Sequence, residues 1–456
     1  MAALPDSLRQ EIDRLAEEYL SAKGSVGLVV GILYRGQEHL LGYGRLSLDT
    51  DRPPDGDSLF EIASITKTFT AALLAEMALH GEVRLDDPLQ KHLPEGIRVP
   101  VCRGKEIVLV HLATHLSGLP GAPPNIRWAE DGDPWGRYTE KELYEAVAQT
   151  RARAAPGERG TYSNFGMGLL GNVLGRVHGG GYEAAVVERI CDPLGMPDTR
   201  ITLTAEQEAR FVPGHAGGKP TPHWTTPALP GCGALRSTAR DMLRYLAGYL
   251  GEAPLPLREA LQECLRSRGR SSPPRPVRER VALTGALFTA WLAIHFWMAP
   301  PPGPVASGYL HFGIPVAIGG WLGGMGTGVA VTLLIAAAEL LLWTLPGGDA
   351  APHRVPLVTA GTGALFAWVF SFMHRIAARE EVGLGWFRSP LAVGDARVWW
   401  HNGRTGGFAT FAGLVEESGS ALVVLSNASN SVDSAALRML RALHKASISA
   451  DQHSRL

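Results

Sequence analysis

Segments with strand chemistry stand at the two ends of this chain, separated by a long stretch of different character. Val26–Tyr34 is rich in β-branched and aromatic residues, Arg35–Glu38 turns the chain, and His39–Tyr43 brings it back, which predicts a hairpin. The same chemistry returns at Arg397–Trp400, Phe408–Val415 and Ala421–Asn427, with a Ser418–Gly419 turn before the last. A two-stranded hairpin alone is marginal in water. The pattern therefore predicts one antiparallel sheet closed by both ends of the chain. Leu8, Ile12, Leu15 and Tyr19 recur at helical spacing after Pro5, and Ala436, Leu437, Leu440 and Leu443 do so near the other terminus. Two such stripes would lie side by side on the sheet. Residues from about 64 to 262 read as mostly helical. The fold class is α+β: an antiparallel sheet flanked by N- and C-terminal helices, plus a mostly helical subdomain.

Within the helical section, Glu61–Thr70 runs into the apolar stretch Ala71–Met77 and places Ser64 three residues before Lys67. At about 3.6 residues per turn these two lie one turn apart on one helix face, so an amine sits beside a hydroxyl. If that face lines a cleft, Lys67 can hold or accept the serine proton, and free N–H groups at the helix start can stabilise developing negative charge. Taken alone, the pair is also what a helix-capping serine followed by a solvated lysine would look like.

Two further motifs decide between these readings. Tyr162-Ser163-Asn164 and His401-Asn402-Gly403-Arg404-Thr405-Gly406-Gly407 follow in order along the chain. With Ser64-x-x-Lys67, this set resembles the class C β-lactamase and D,D-peptidase superfamily, which also contains esterases and D-amino-acid amidases. Val108–Pro120, Asp192–Met196 and Gly231–Thr238 agree, so the resemblance covers residues 8–250 and 385–446. It implies a site between the sheet and the helical region, with Ser64, Lys67, Tyr162 and His401 catalytic. Asn164, Gly403, Arg404 and Thr405 would bind substrate, and the N–H groups of Ser64 and Arg404 would form an oxyanion hole. The implied reaction is acyl transfer to Ser64 from an ester or amide, without a metal or other cofactor. Tyr162 can act as a base at neutral pH only if a cation such as Lys67 stabilises its anion. His401 stands where many relatives carry lysine, which brings less positive charge to a substrate carboxylate and favours esterase or peptidase over efficient β-lactam hydrolysis. Arg404 could replace that charge.

Residues 281–373 interrupt the pattern. Val281–Gly348 contains one formally charged residue, Glu339, and Val355–Met373 contains none. Apolar runs of this length predict transmembrane helices, drawn here at 281–299, 309–327, 328–345 and 355–373. The first two motifs precede this insert and the third follows it, so the chain must cross the bilayer an even number of times. The expected organisation is a catalytic domain in two parts, 1–262 and 374–456, an Arg/Pro-rich linker at 263–280, and a transmembrane insertion at 281–373. Arg266, Arg268, Arg270, Arg275, Arg278 and Arg280, with Arg375 and Arg379, face only Arg354 on the opposite loops. The positive-inside rule then turns the catalytic domain toward the cytoplasm of a multi-pass cell-membrane protein. The amino terminus, lacking a basic region and a long apolar core, agrees.

Lys plus Arg number 43 against 44 for Asp plus Glu, a balance that gives no reason to expect a nucleic-acid partner. Cys102, Cys191, Cys232 and Cys264 lack metal-ligand spacing and read as small buried hydrophobes. His111 and His115, four apart, lack a third ligand and read as packing residues. The expected partners are a small-molecule or peptide substrate and the lipid bilayer. An acyltransferase or peptide cyclase would use the same acyl-serine. A catalytically silent membrane receptor for a β-lactam or peptidoglycan-like ligand would not need Ser64, Lys67, Tyr162 and Asn164 together.

Overall fold

Both ends of the chain do close one sheet. The computed structural model describes residues 3–127, 132–152, 154–158, 160–269, 381–391 and 393–453. Its eleven described strands are β1 (Gly27–Tyr34), β2 (Gln37–Gly44), β3 (Phe60–Glu61), β4 (Gly214–Ala216), β5 (Lys219–Thr221), β6 (Arg236–Ser237), β7 (Glu381–Val382), β8 (Phe387–Pro390), β9 (Arg397–Arg404), β10 (Ala409–Val415) and β11 (Ser420–Ser426). Seven form an antiparallel sheet in the order β2-β1-β11-β10-β9-β8-β7. The first strand of the chain thus pairs with the last, Leu28 opposite Ser426 and Leu33 opposite Ala421.

Described helices are α1 (Asp6–Leu20), α2 (Thr66–Leu79), α3 (Leu109–Ala113), α4 (Glu140–Gln149), α5 (Asn164–His178), α6 (Gly181–Val186), α7 (Ala205–Glu208), α8 (Ala239–Ala247), α9 (Leu257–Cys264) and α10 (Asp433–His453). Side chains alternate across a strand, so the sheet has two chemical faces. The outer face, with Leu28, Val30, Ile32, Phe411, Leu422 and Val424, packs under the predicted stripes of α1 and α10. Each fully buried aliphatic or Phe side chain there contributes about 1.5–3 kcal/mol. The inner face, with Val29, Leu33, Trp399, Ala412 and Val423, belongs to the core of the helical region. Gly31 lets α8 pack closely on it, since a Cβ there would stand 3.1 Å from the Leu243 side chain.

α2 is buried at every residue from Thr66 to Met77, as suits a helix that is apolar nearly all round and runs through a core. It stops at His80, and the next residue is Gly81 at φ +74°, a left-handed conformation that glycine adopts freely after a helix.

Two features of the sheet differ from expectation. β7 and β8 extend its edge, although Gly383, Gly385 and Pro390 punctuate that stretch and hide its strand character. β9 continues past Trp400 to Arg404, so the first four residues of the third motif lie on a strand. The chain divides into two units, Met1–Ser271 with Glu381–Leu456, and Ser272–Glu380. The four spans drawn from the sequence, and the arginines from Arg270 to Arg379 used to orient them, lie outside the described residues. Among the described residues no helix is long and apolar enough to cross a membrane.

Candidate active site

Ser64 lies in a 3-10 turn, Ala63–Ile65, that leads directly into α2. Ala63 is held at φ +49°, a left-handed conformation that costs a non-glycine residue about 1–2 kcal/mol. Strain of this kind clusters at functional turns. Lys67, fully buried one helical turn on, donates from Nζ to Ser64 Oγ at 2.8 Å and to the Cys232 carbonyl at 2.6 Å. That carbonyl is fixed because residues 231–235 are laced along α2. Thr70 Oγ1 donates to the Gly231 carbonyl at 2.8 Å, and the Leu235 N–H donates to Thr66 Oγ1 at 3.1 Å. A buried amine without partners would be costly, and here two acceptors hold it on the serine.

The second motif arrives at the start of α5. Ser163 caps that helix, accepting the Gly166 N–H at 2.8 Å and donating to the Pro120 carbonyl at 2.6 Å. Tyr162, one residue earlier, places its ring centroid 4.9 Å from Lys67 Nζ, within range of a cation–π contact. Asn164 is half-buried and donates its backbone N–H to the Gly121 carbonyl at 2.9 Å. Lys67 bonds to Ser64 and Cys232, and no bond from the Asn164 side chain to it stands among the described residues.

The third motif is read by strand alternation. His401, Gly403 and Thr405 share the inner face and are buried, whereas Asn402 and Arg404 point to the outer face. A Cβ at Gly403 would stand 2.4 Å from the Ile62 carbonyl oxygen and 2.9 Å from the Ala63 side chain, so only glycine lets β9 approach the serine turn. The Asn402 side chain donates to Asp433 at 2.8 Å, and the Arg404 guanidinium donates to the Ser429 carbonyl. Arg404 is therefore absent from the site as a charge. Its backbone is placed differently. Thr405 N–H bonds to the Phe408 carbonyl at 3.0 Å, so in the alternating antiparallel ladder Arg404 and Ala409 are a non-bonded pair. The Arg404 N–H then points to the far edge of β9, where pairing with β8 has ended at Trp400.

His401 is fully buried. Its rings meet Tyr162 at 6.1 Å and Phe387 at 5.3 Å between centroids. Its Nδ1 donates to the Asn402 carbonyl at 2.6 Å, leaving Nε2 as an acceptor with no partner among the described residues. Burial, and then the charge of Lys67, push this imidazole down to about 3, so it is neutral at physiological pH.

Three groups in the site carried no functional signal in the sequence. The Cys232 carbonyl is backbone, and Phe387 is an aromatic residue on a short strand that the sequence pattern did not reveal. His115 was read as packing, yet its imidazole lies 4.6 Å from the Tyr162 ring between centroids. It does not share a helix with His111, because α3 ends at Ala113. His111 instead accepts the Val108 N–H at 3.2 Å. Cys191, Cys232 and Cys264 are buried free thiols, while Cys102 is partly exposed.

A profile of the Beta-lactamase family matches residues 12–355. The D-alanyl-D-alanine-carboxypeptidase/endopeptidase AmpH of Escherichia coli K12 is 33% identical over 246 residues, 54% of this chain and 63% of that protein. A β-lactamase of the same organism is 27% identical over 258 residues, 56% of this chain and 64% of that protein. The chain thus spans under two thirds of the length of these curated relatives. Among solved structures, a β-lactamase/D-alanine carboxypeptidase from Pseudomonas syringae superposes with a TM-score of 0.64 at 16% identity, covering 96% of this chain and 99% of that one. A class C β-lactamase from Rhodobacter sphaeroides gives 0.63 at 19%, covering 97% and 99%. The antiparallel sheet and its flanking helices define the class C β-lactamase-like α+β fold. The chain belongs to the β-lactamase family, and the relatives named here are serine hydrolases that act on amide bonds.

Proposed function

We propose that this protein is a serine hydrolase that forms an acyl-serine on Ser64 from ester or amide substrates. The observation that carries the reading is the 2.8 Å contact between Nζ of the fully buried Lys67 and Oγ of the partly exposed Ser64. Lys67 is the group in direct contact with the serine. In its neutral form it takes the hydroxyl proton as Oγ bonds to the carbonyl carbon, and the proton passes to the departing alcohol or amine as the acyl bond breaks. The N–H groups of Ser64 and Arg404 receive the oxyanion. Water then cleaves the acyl-serine. Tyr162, beside Lys67, shares the proton transfers, and Asn164 and Thr405 contact the substrate.

The third motif supports a substrate without a carboxylate next to the scissile bond. His401 is neutral and the Arg404 side chain is turned to the other face, so neither offers a counter-charge there. Esters and internal amides fit this better than β-lactams or terminal D-alanine. The carboxypeptidase/endopeptidase and β-lactamase activities named for the relatives keep amides in the comparison.

Intact-mass measurement after exposure to a fluorophosphonate and to a penicillin tests the reading. One fluorophosphonate adduct is expected on the wild type and none on Ser64→Ala, with slower or absent penicillin acylation. Labelling that persists in Ser64→Ala would remove Ser64 as nucleophile.

The reading extends to a membrane location, with residues 281–373 as four spans and the catalytic domain on the cytoplasmic side. Its support is the sequence alone: a single formal charge between Val281 and Gly348 and arginines on one side of the insert. A reporter fused at Pro301 should be active only outside the cytoplasm, and cytoplasmic activity there would reverse the orientation.

A further inference from the structure

We infer that His115 is a positioning residue that sets how the Tyr162 phenol stands against Lys67 and Ser64. This rests on the reading of Ser64 and Lys67 as the reactive pair. His115 follows the end of α3 at φ +60°, in the left-handed region. Glycine or asparagine would adopt that backbone at lower cost. What holds the histidine there is a set of contacts to three consecutive residues. Its carbonyl accepts the Thr161 N–H at 2.9 Å, and its Nδ1 accepts the Ser163 N–H at 3.2 Å. Its ring lies against the residue between them, 4.6 Å from the Tyr162 centroid and tilted by 41°. Phe387 stacks on the same group, 6.2 Å from His115 and 6.3 Å from Tyr162. Tyr162 is thus fixed from both flanking amides and from one face, while Lys67 Nζ lies 4.9 Å from its centroid.

The chemistry of the ring fits this task. Accepting an N–H at Nδ1 requires a lone pair there, so the ring proton resides on Nε2 and the imidazole must be neutral. His115 is 2% exposed, and burial, then Lys67, then His401 all hold it in that form. A charged imidazole would lose the Ser163 bond and face the Lys67 ammonium. A residue serving only as filler would need neither the acceptor nor the strained backbone.

The test separates the acceptor from the bulk. His115→Asn tolerates φ near +60° and carries an oxygen where Nδ1 stood, whereas His115→Phe keeps an aromatic ring and removes the acceptor. Turnover of an activated ester is measured per active site titrated by fluorophosphonate. His115→Phe should lose about 10–100-fold in kcat with KM within about threefold, as a displaced catalytic group does. His115→Asn should recover to within about fivefold of wild type. Wild-type kcat per titrated site in His115→Phe, or equal losses in both variants, would overturn the inference. Should His115→Phe not fold, His115→Gly replaces it, since it also accepts the backbone but supplies no acceptor. A wild type that takes no label at Ser64 would instead sink the serine-hydrolase reading.

Discussion

The outer and inner faces of the seven-stranded sheet are made from the same strands and differ in how their polar groups are treated. On the outer face, Tyr19 meets Ser426 Oγ at 2.9 Å and the Asn430 carbonyl at 3.0 Å, and Asn402 meets Asp433 at 2.8 Å. These polar atoms have partners, as buried ones require, although His39 Nε2 on β2 of the same face has none among the described residues. On the inner face, His401 Nε2 and Thr405 Oγ1 are buried with no partner among the described residues, and His115 Nε2 beside them is the same. Leaving such an atom unmade costs about 1–3 kcal/mol. The outer face is arranged to hold the sheet. The inner face gives up part of that stability around the Ser64 and Lys67 pair.

Exchanging the two kinds of residue should separate stability from turnover. Lys67→Met keeps the volume and removes a buried cation, so the fold should persist while kcat falls about 10²–10⁴-fold, the range for loss of a general base. Phe411→Ala on the outer face should do the reverse. Phe411 is fully buried under α1 and α10. Its removal should cost about 3–5 kcal/mol in urea unfolding and leave kcat per titrated site unchanged. If Phe411→Ala slows each active site as much as Lys67→Met does, the faces are not separable.

Much of this division is legible in the sequence. The stripes Leu8, Ile12, Leu15, Tyr19 and Ala436, Leu437, Leu440, Leu443 are periodic, and seven of these eight residues are buried on the outer face, with Leu437 partly buried against it. Ser64, Lys67, Tyr162 and His401 are brought together as three spaced motifs suggested. What escaped has physical reasons. His115 reads as helical because Val108–Leu116 is apolar, but the helix ends at Ala113 and a left-handed turn swings the ring to Tyr162. The role of Cys232 is carried by its carbonyl, which any residue possesses. Gly403 reads as a substrate-binding residue, and it also marks where β9 touches the serine turn. The side chain of Arg404 was assigned to the site because spacing along a motif does not reveal which strand face a residue occupies.

Neutral His401 sharpens the contrast through pH. The unfolded chain binds a proton at this residue below about 6.5, whereas the folded protein binds it only near 3. Between those values the unfolded state holds more protons, so the stability from His401 is full above pH 6.5 and is lost as pH falls toward 3. The slope is up to about 1.4 kcal/mol per pH unit. Urea unfolding at pH 4–6.5 should show a shallower decline in His401→Gln than in wild type. His115 acts in the same direction and is itself held neutral in part by His401, so the difference reports the pair. Parallel declines would mean that His401 is already charged in the folded protein.

The smallest effect is expected from Arg404→Ala, and it is the most discriminating about which face the residue serves. The guanidinium is exposed and donates to the Ser429 carbonyl on the outer face, a contact that solvent screens. The backbone N–H that points to the open edge of β9 survives the substitution. Turnover of a neutral ester should therefore change by less than about twofold, and so should turnover of the same ester with a carboxylate added to its leaving group. A loss confined to the carboxylated ester would mean that the side chain reaches the inner face during binding and restores the charge that His401 lacks. An equal loss on both esters would point to a displaced β9 backbone, which Gly403→Ala should reproduce more severely, because its Cβ would meet Ile62 and Thr410 at about 2.5 Å.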